Sequence, residues 1–218
     1  AINIQDEGTT IDASGTSIIV DGSSAPSPSN LFLVAASSVT FIGFTVRNAP
    51  SNGITVSPAF SGACAGSITS VLLRRMTLSG NGENGLLICA TSGGQAFVSD
   101  SEFLGNATGI TASGAIAGNV HGAGSRFVGN GLAVHVQGPV TGSFDARNNW
   151  WGCPTGANTP GCDTTHAAVD TSNHLTVDTF RVTNVHDSGE GSLRRAINDA
   201  NSRPGHDVIR FDVSGTIA

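Results

Sequence analysis

The chain has 218 residues, 39% of them hydrophobic and only 12% charged, with 29 glycines, no tyrosine and no lysine. That composition excludes a disordered chain. The missing lysine excludes Schiff-base or lysine-base chemistry, and the net charge of −6 argues against a nucleic-acid partner, which needs a basic face. No apolar run reaches the length of a membrane span and nothing at the start reads as a signal peptide, so an exported protein is expected here as a mature form or an excised segment.

Residues 1–46 hold short β-type runs at Ile2 to Ile4, Thr10 to Asp12, Ser17 to Asp21, Leu31 to Val34 and Val39 to Val46, separated by turn residues. Gly22 to Asn30 reads as a surface loop. A phrase then recurs, in which an apolar residue and Asn are followed by Gly and an aliphatic. It runs Val46-Arg47-Asn48 with Gly53-Ile54, Leu78 to Asn81 with Gly85-Leu86, Phe103 to Asn106 with Gly109-Ile110, and Phe127 to Asn130 with Gly131-Leu132. The aliphatics Ile54, Leu86, Ile110 and Leu132 are 32, 24 and 22 residues apart, a solenoid period. The long first interval carries an insert, Ser57 to Gly66. Each coil is too thin to bury its own apolar side, and stacking buries it. The fold class predicted is all-β, a right-handed parallel β-helix with one short capping helix. In such a stack like positions superpose about 4.8 Å apart, so Asn48, Asn81, Asn106 and Asn130 are expected on one corner as an amide ladder.

Aligning the coils also stacks charges. Arg75 falls on Asp100, and Thr77, Glu102, Arg126 and Asp145 form the next column. Asp100, Glu102, Arg126 and Asp145 are the candidates for carboxylate chemistry on a sugar chain. The reading preferred over it is a solvated charge ladder that keeps register, with no catalytic residue. The six histidines, among them His121 and His135 in the coils, have no ligand-like partner at short spacing, and no calcium or metal motif is present, so no cofactor and no metal is expected.

Cys64, Cys89, Cys153 and Cys162 form no CxxC pair. Their even number fits two disulfides and an oxidising compartment, with Cys153–Cys162 closing a short loop and Cys64–Cys89 tying neighbouring coils. Trp150 and Trp151 precede that loop. They read either as a platform for sugar stacking or, preferred, as a cap on the end of the coil core. Residues 163–179 read as a connector. From residue 180 the character changes to a strand from Phe180, a helix from Leu193 to Asn201 with Ser192 as N-cap, a stop at Arg203-Pro204-Gly205, and a strand from Val208 to Val213.

Two segments carry a family resemblance. Asp187-Ser188-Gly189, Gly191-Ser192-Leu193-Arg194, Ala196-Ile197 and Phe211 to Ile217 resemble the opening cap of bacterial right-handed parallel β-helix surface proteins, of the polymorphic-outer-membrane-protein-like, CSLREA-type group. Asn148 to Cys153 (NNWWGC) resembles their closing motif. The resemblance implies an extracellular or cell-surface structural or adhesive role; the same fold also serves polysaccharide lyases and hydrolases. In that group the cap precedes the coils, whereas here it follows them. The order suggests a circularly permuted chain, one cut out of phase from a tandem array, or one that donates its cap. Residues 1–162 are then coils, 163–179 a connector and 180–218 the displaced cap. The function expected is a non-catalytic subunit whose partner is itself, stacked head-to-tail; the alternative is a polysaccharide-binding or polysaccharide-degrading protein. The joint expected comprises Ile2 and Ile4 on one side and Phe180, Val182, Leu193, Ile197, Val208, Ile209, Phe211 and Val213 on the other, with the cap covering the coil end begun by Ile2.

Overall fold

A computed structural model of the chain describes residues 1–14, 16–57, 70–89, 95–113, 120–138, 143–202 and 206–217. Cys64, and with it the expected Cys64–Cys89 bridge, lies outside the described residues, as do most of the Ser57–Gly66 insert and the Arg203-Pro204-Gly205 stop.

The coil phrase does build a parallel β-solenoid, of about six turns. One sheet holds β1 (Ile2–Ile4), β4 (Phe32–Val34), β7 (Ile54–Val56), β10 (Asn84–Cys89), β13 (Thr108–Ser113) and β16 (Leu132–Gln137). A second holds β2 (Thr10–Asp12), β5 (Val39–Ile42), β8 (Ser70–Arg74), β11 (Gln95–Ser99), β14 (Val120–Ala123), β17 (Phe144–Asp145) and β18 (Val169–Asp170). A third holds β3 (Ile19–Asp21), β6 (Thr45–Arg47), β9 (Thr77–Ser79), β12 (Glu102–Leu104) and β15 (Arg126–Val128). Every pairing is parallel, as it must be when each strand meets the strand one turn earlier.

Inward side chains superpose in columns. Ile54, Leu86, Ile110 and Val134 line the first sheet, all essentially fully buried. In the third sheet Phe103, Phe127 and Trp151 stack with ring centroids 5.0 and 4.8 Å apart. The glycine of the phrase has a steric cause: a Cβ on Gly85 would stand 2.8 Å from the Gly109 carbonyl oxygen, so the rungs close up only where the side chain is missing.

The corner after the third sheet carries the amide ladder, one residue out of the expected register at its start. Asn81 Nδ2 donates to Asn106 Oδ1 (2.8 Å), Asn106 Nδ2 to Asn130 Oδ1 (3.0 Å), and Asn130 Nδ2 to Asp163 Oδ2 (2.7 Å). Asn48 does not join. It takes the left-handed position (φ 54°) that Gly80 and Gly105 fill in later turns (φ 60° and 62°), and Ala49 stands at the ladder position. Asp163 closes the column because a carboxylate accepts without leaving an amide N–H in need of a further rung. A second ladder, Asn30–Asn52–Asn84, and a third corner where Ser101, Ser125 and Asn149 accept backbone N–H groups, were not anticipated.

The last turn replaces strands with bridges, Arg126 to Trp150 and Val134 to Thr165. Residues 163–170, expected as connector, therefore complete the solenoid, and β18 extends the second sheet. Cys153 and Cys162, in a loop inserted between Trp151 and Asp163, stand at disulfide distance with Cα atoms 5.3 Å apart.

Beyond residue 177 comes a small parallel pair, β19 (Asp178–Val182) with β20 (Asp207–Phe211), joined by α1 (Leu193–Asn201). Ser192 is the N-cap, its hydroxyl accepting from Arg195 N (3.2 Å). Phe180, Val182 and Ala196 form a core separate from that of the solenoid, with Leu193, Ile209 and Val213 packed on it. Within one chain the cap does not take the expected place over the coil end. β20 pairs with β19 and not beside β1, Leu193 plugs its own core, and Ile4 belongs to the solenoid core. Of the joint residues expected, Ile2, Ile197, Val208 and Phe211 remain exposed. No described helix is long and apolar enough to cross a membrane.

Candidate functional site

The cap lies along the flank of the solenoid, against the corner between the second and third sheets. That corner is built from the columns predicted by the alignment. Thr45, Thr77, Glu102 and Arg126 occupy one register position on successive rungs. Arg75 and Asp100 occupy the preceding left-handed corner position, at φ 53° and 52°. Asp145 is not in the column. It pairs across from His121 in the second sheet, because Trp150 takes the next place after Arg126.

Between the flank and the cap runs a cleft of about 190 Å³ that brings Arg75, Asp100, Glu102 and Arg126 together with Phe180, Arg181, Glu190 and Arg195 of the cap. Three of the four residues proposed for chemistry therefore do share a site. Their charges are already matched. Arg126, with a side chain only 8% exposed, holds Asp178 with two bonds (Nε–Oδ1 2.5 Å, Nη2–Oδ2 2.7 Å) and Glu102 with a third (2.8 Å). The Phe180 ring lies 4.5 Å from its guanidinium carbon. Burial alone would lower the pKa of Arg126; the Glu102 and Asp178 carboxylates overcome it and raise the value. Asp100 accepts from Arg181 (2.6 Å), which also holds Asp212. Glu190 accepts from Thr45 (3.0 Å) and pairs with Arg47 (3.4 Å). A solvated ladder was the favoured expectation; the pairs instead form a partly buried network that fastens the cap to the solenoid.

Arg75 differs. Arg126, Arg181 and Arg195 each hold a carboxylate. Arg75 holds none among the described residues, and its buried Nε has no hydrogen-bond partner. Sequence reasoning placed Arg75 on Asp100 and assumed mutual neutralisation; Asp100 turns instead to Arg181 of the cap.

The Trp pair is buried, Trp151 completely and Trp150 to 5% exposure, which rules out the sugar-stacking platform. Trp151 completes the core as expected, whereas Trp150 follows Arg126 in the outward column and faces Thr179 and Arg181 of the cap instead. On the second sheet, His121 stacks on Phe97 with centroids 5.4 Å apart and meets Asp145 at 3.5 Å, and Arg147 clasps the same carboxylate through two bonds of 2.9 Å. Neither His121 nor Arg147 was singled out as Asp145's partner from sequence. Among the described residues no group of three or more His, Cys, Asp or Glu is placed to hold a metal ion. No family model, no curated protein and no solved structure matches the chain.

Proposed function

We propose that this chain is a non-catalytic structural module of an extracellular or cell-surface protein, of the bacterial β-helix type that its cap and Asn-Asn-Trp-Trp-Gly-Cys segments resemble. The observation that carries the reading is the pairing in the cleft. A glycosidase needs one carboxyl held protonated or one free to attack, and Glu102 is bonded to Arg126, which also holds Asp178 of the cap, while Asp100 is bonded to Arg181 of the cap. Those groups hold the molecule together. Its work is then done by shape and persistence, for which stacked ladders, a Cys153–Cys162 bridge and a low charge content are suited. The partner in this reading is a second copy of the chain. The surface for it is the outer edge of β20, which among the described residues pairs on one side only and presents Val208 and Phe211 to solvent, 38% and 53% exposed.

The test is turnover. Purified protein incubated with pectin, alginate and β-glucans is expected to release no reducing ends or unsaturated products. Release that disappears in Glu102→Gln would overturn the reading in favour of a lyase or hydrolase.

A further inference from the structure

The arginine that the cap leaves unpaired points to a ligand. At the corner between the second and third sheets five turns present the same left-handed position, occupied by Gly43, Arg75, Asp100, Gly124 and Asn148. Four of these are residue types that tolerate positive φ. Arg75 is not, and at φ 53° its Cβ crowds the following carbonyl. A strained backbone is a reason to look for function. The same side chain lines the cleft, lacks the carboxylate partner that every other arginine there has, and keeps a buried Nε–H without an acceptor. Asp12, whose carboxyl is held below its usual range chiefly by Ser14, senses the charge of Arg75 without pairing with it. Conformation and hydrogen bonding thus each leave the same residue uncompensated, and its charge has Asp12 nearby but no ion-pair partner among the described residues.

We infer that Arg75 is the anchor of a binding site for the carboxylate of a uronic-acid sugar. A guanidinium binds a carboxylate through two parallel bonds. The wall beside it is hydroxylic: Ser14, Thr16 and Thr77 line the same cleft. Hydroxyls with carboxylates are the groups that hold sugar hydroxyls. The remaining cleft charges are matched or acidic, so the site takes a ring with one carboxylate and repels a dense polyanion. The site goes beyond the structural role and requires no turnover.

The probe is methyl β-glucuronoside, with neutral methyl β-glucoside as comparator, titrated into the intact chain and followed by calorimetry and by the arginine Nε–H resonances. The glucuronoside is expected to bind at least about tenfold more tightly than the glucoside and to shift the Arg75 Nε–H signal. Arg75→Gly is expected to weaken glucuronoside binding about tenfold or more while raising the melting temperature by about 2–4 °C, through relief of the left-handed strain. Equal affinity for the two glycosides, no binding at millimolar concentration, or unchanged binding in Arg75→Gly would each overturn the assignment. A fall in melting temperature would overturn it too, since Arg75 would then be a structural residue.

Discussion

Asp145 illustrates how a single side chain on the outer face couples folding to pH. The Arg147 guanidinium, followed by the Arg147 backbone N–H and His121, holds its carboxyl at about 2, below the usual 3.8. A depressed folded value means stability that is fully present above the unfolded value and lost as pH falls toward the folded one. The gap in melting temperature between wild type and Asp145→Asn is therefore expected to be constant above about pH 5, to narrow below about pH 4 and to close near pH 2. A gap that widened in acid would show that the pairing seen here does not hold the proton off. The amide ladder sets a larger scale because it is buried. Asn106 Oδ1 accepts both from Asn81 N (3.0 Å) and from Asn81 Nδ2 (2.8 Å). Asn106→Ala strands both donors where water cannot reach, and the expected cost is about 3 kcal/mol, read from urea unfolding. A cost below about 0.5 kcal/mol would mean that the ladder is decorative.

Among the elements, the cap is the one that packing treats as separate. Its core of Phe180, Val182 and Ala196 shares no residue with the solenoid core, and ion pairs, polar contacts and the Arg126–Phe180 stack join the two. Asp178, with its side chain 1% exposed, supplies the buried one. Removing one partner of a buried pair costs more than the pair is worth, because the other charge stays buried. Asp178→Ala leaves Arg126 with Glu102 alone and is expected to weaken cap docking by about 3 kcal/mol. Hydrogen exchange should show β19 and β20 losing protection while β10 and β13 keep theirs; equal loss in both would make the two cores one cooperative unit. How much of this was legible depended on what repeats. The first three copies of the coil phrase, the Thr77–Glu102–Arg126 column and α1 with Ser192 were readable because local spacing encodes them; the fourth copy was read at Gly131-Leu132, whereas Ala133-Val134 stands in register with Gly109-Ile110. Asn48 was misplaced because Asn suits both the left-handed corner and the ladder position beside it, so the phrase fits in two registers one residue apart. The Ser101–Ser125–Asn149 corner escaped because a hydroxyl and an amide accept the same N–H, and the residue type changes from turn to turn. The Arg126–Asp178 pair links positions 52 residues apart with no pattern to announce it.

For the whole molecule, the open question in the sequence was whether the displaced cap covers the coil end. Within one chain it does not: it is fastened to the flank, and β1, β2 and β3 each stand at the end of their sheets. Unpaired strand edges are sites of association. β20 is proposed as the joint rather than the flank, because the flank's charges other than Arg75 are matched within the chain and the cap covers it, while β20 shows apolar side chains beside Arg210, which holds no carboxylate among the described residues. An edge on one copy meeting a different edge on the next is a heterologous contact, and it propagates unless rotation closes it into a ring. Electron microscopy of the intact chain at increasing concentration is expected to show linear assemblies. The double variant Val208→Lys with Phe211→Lys places two charges at exposed positions of β20, and is expected to remain monomeric. Assemblies of the same width from the double variant would move the joint away from β20. A wild-type chain that stays monomeric at every concentration would end the self-assembly reading and leave the solenoid as a module within a longer surface protein.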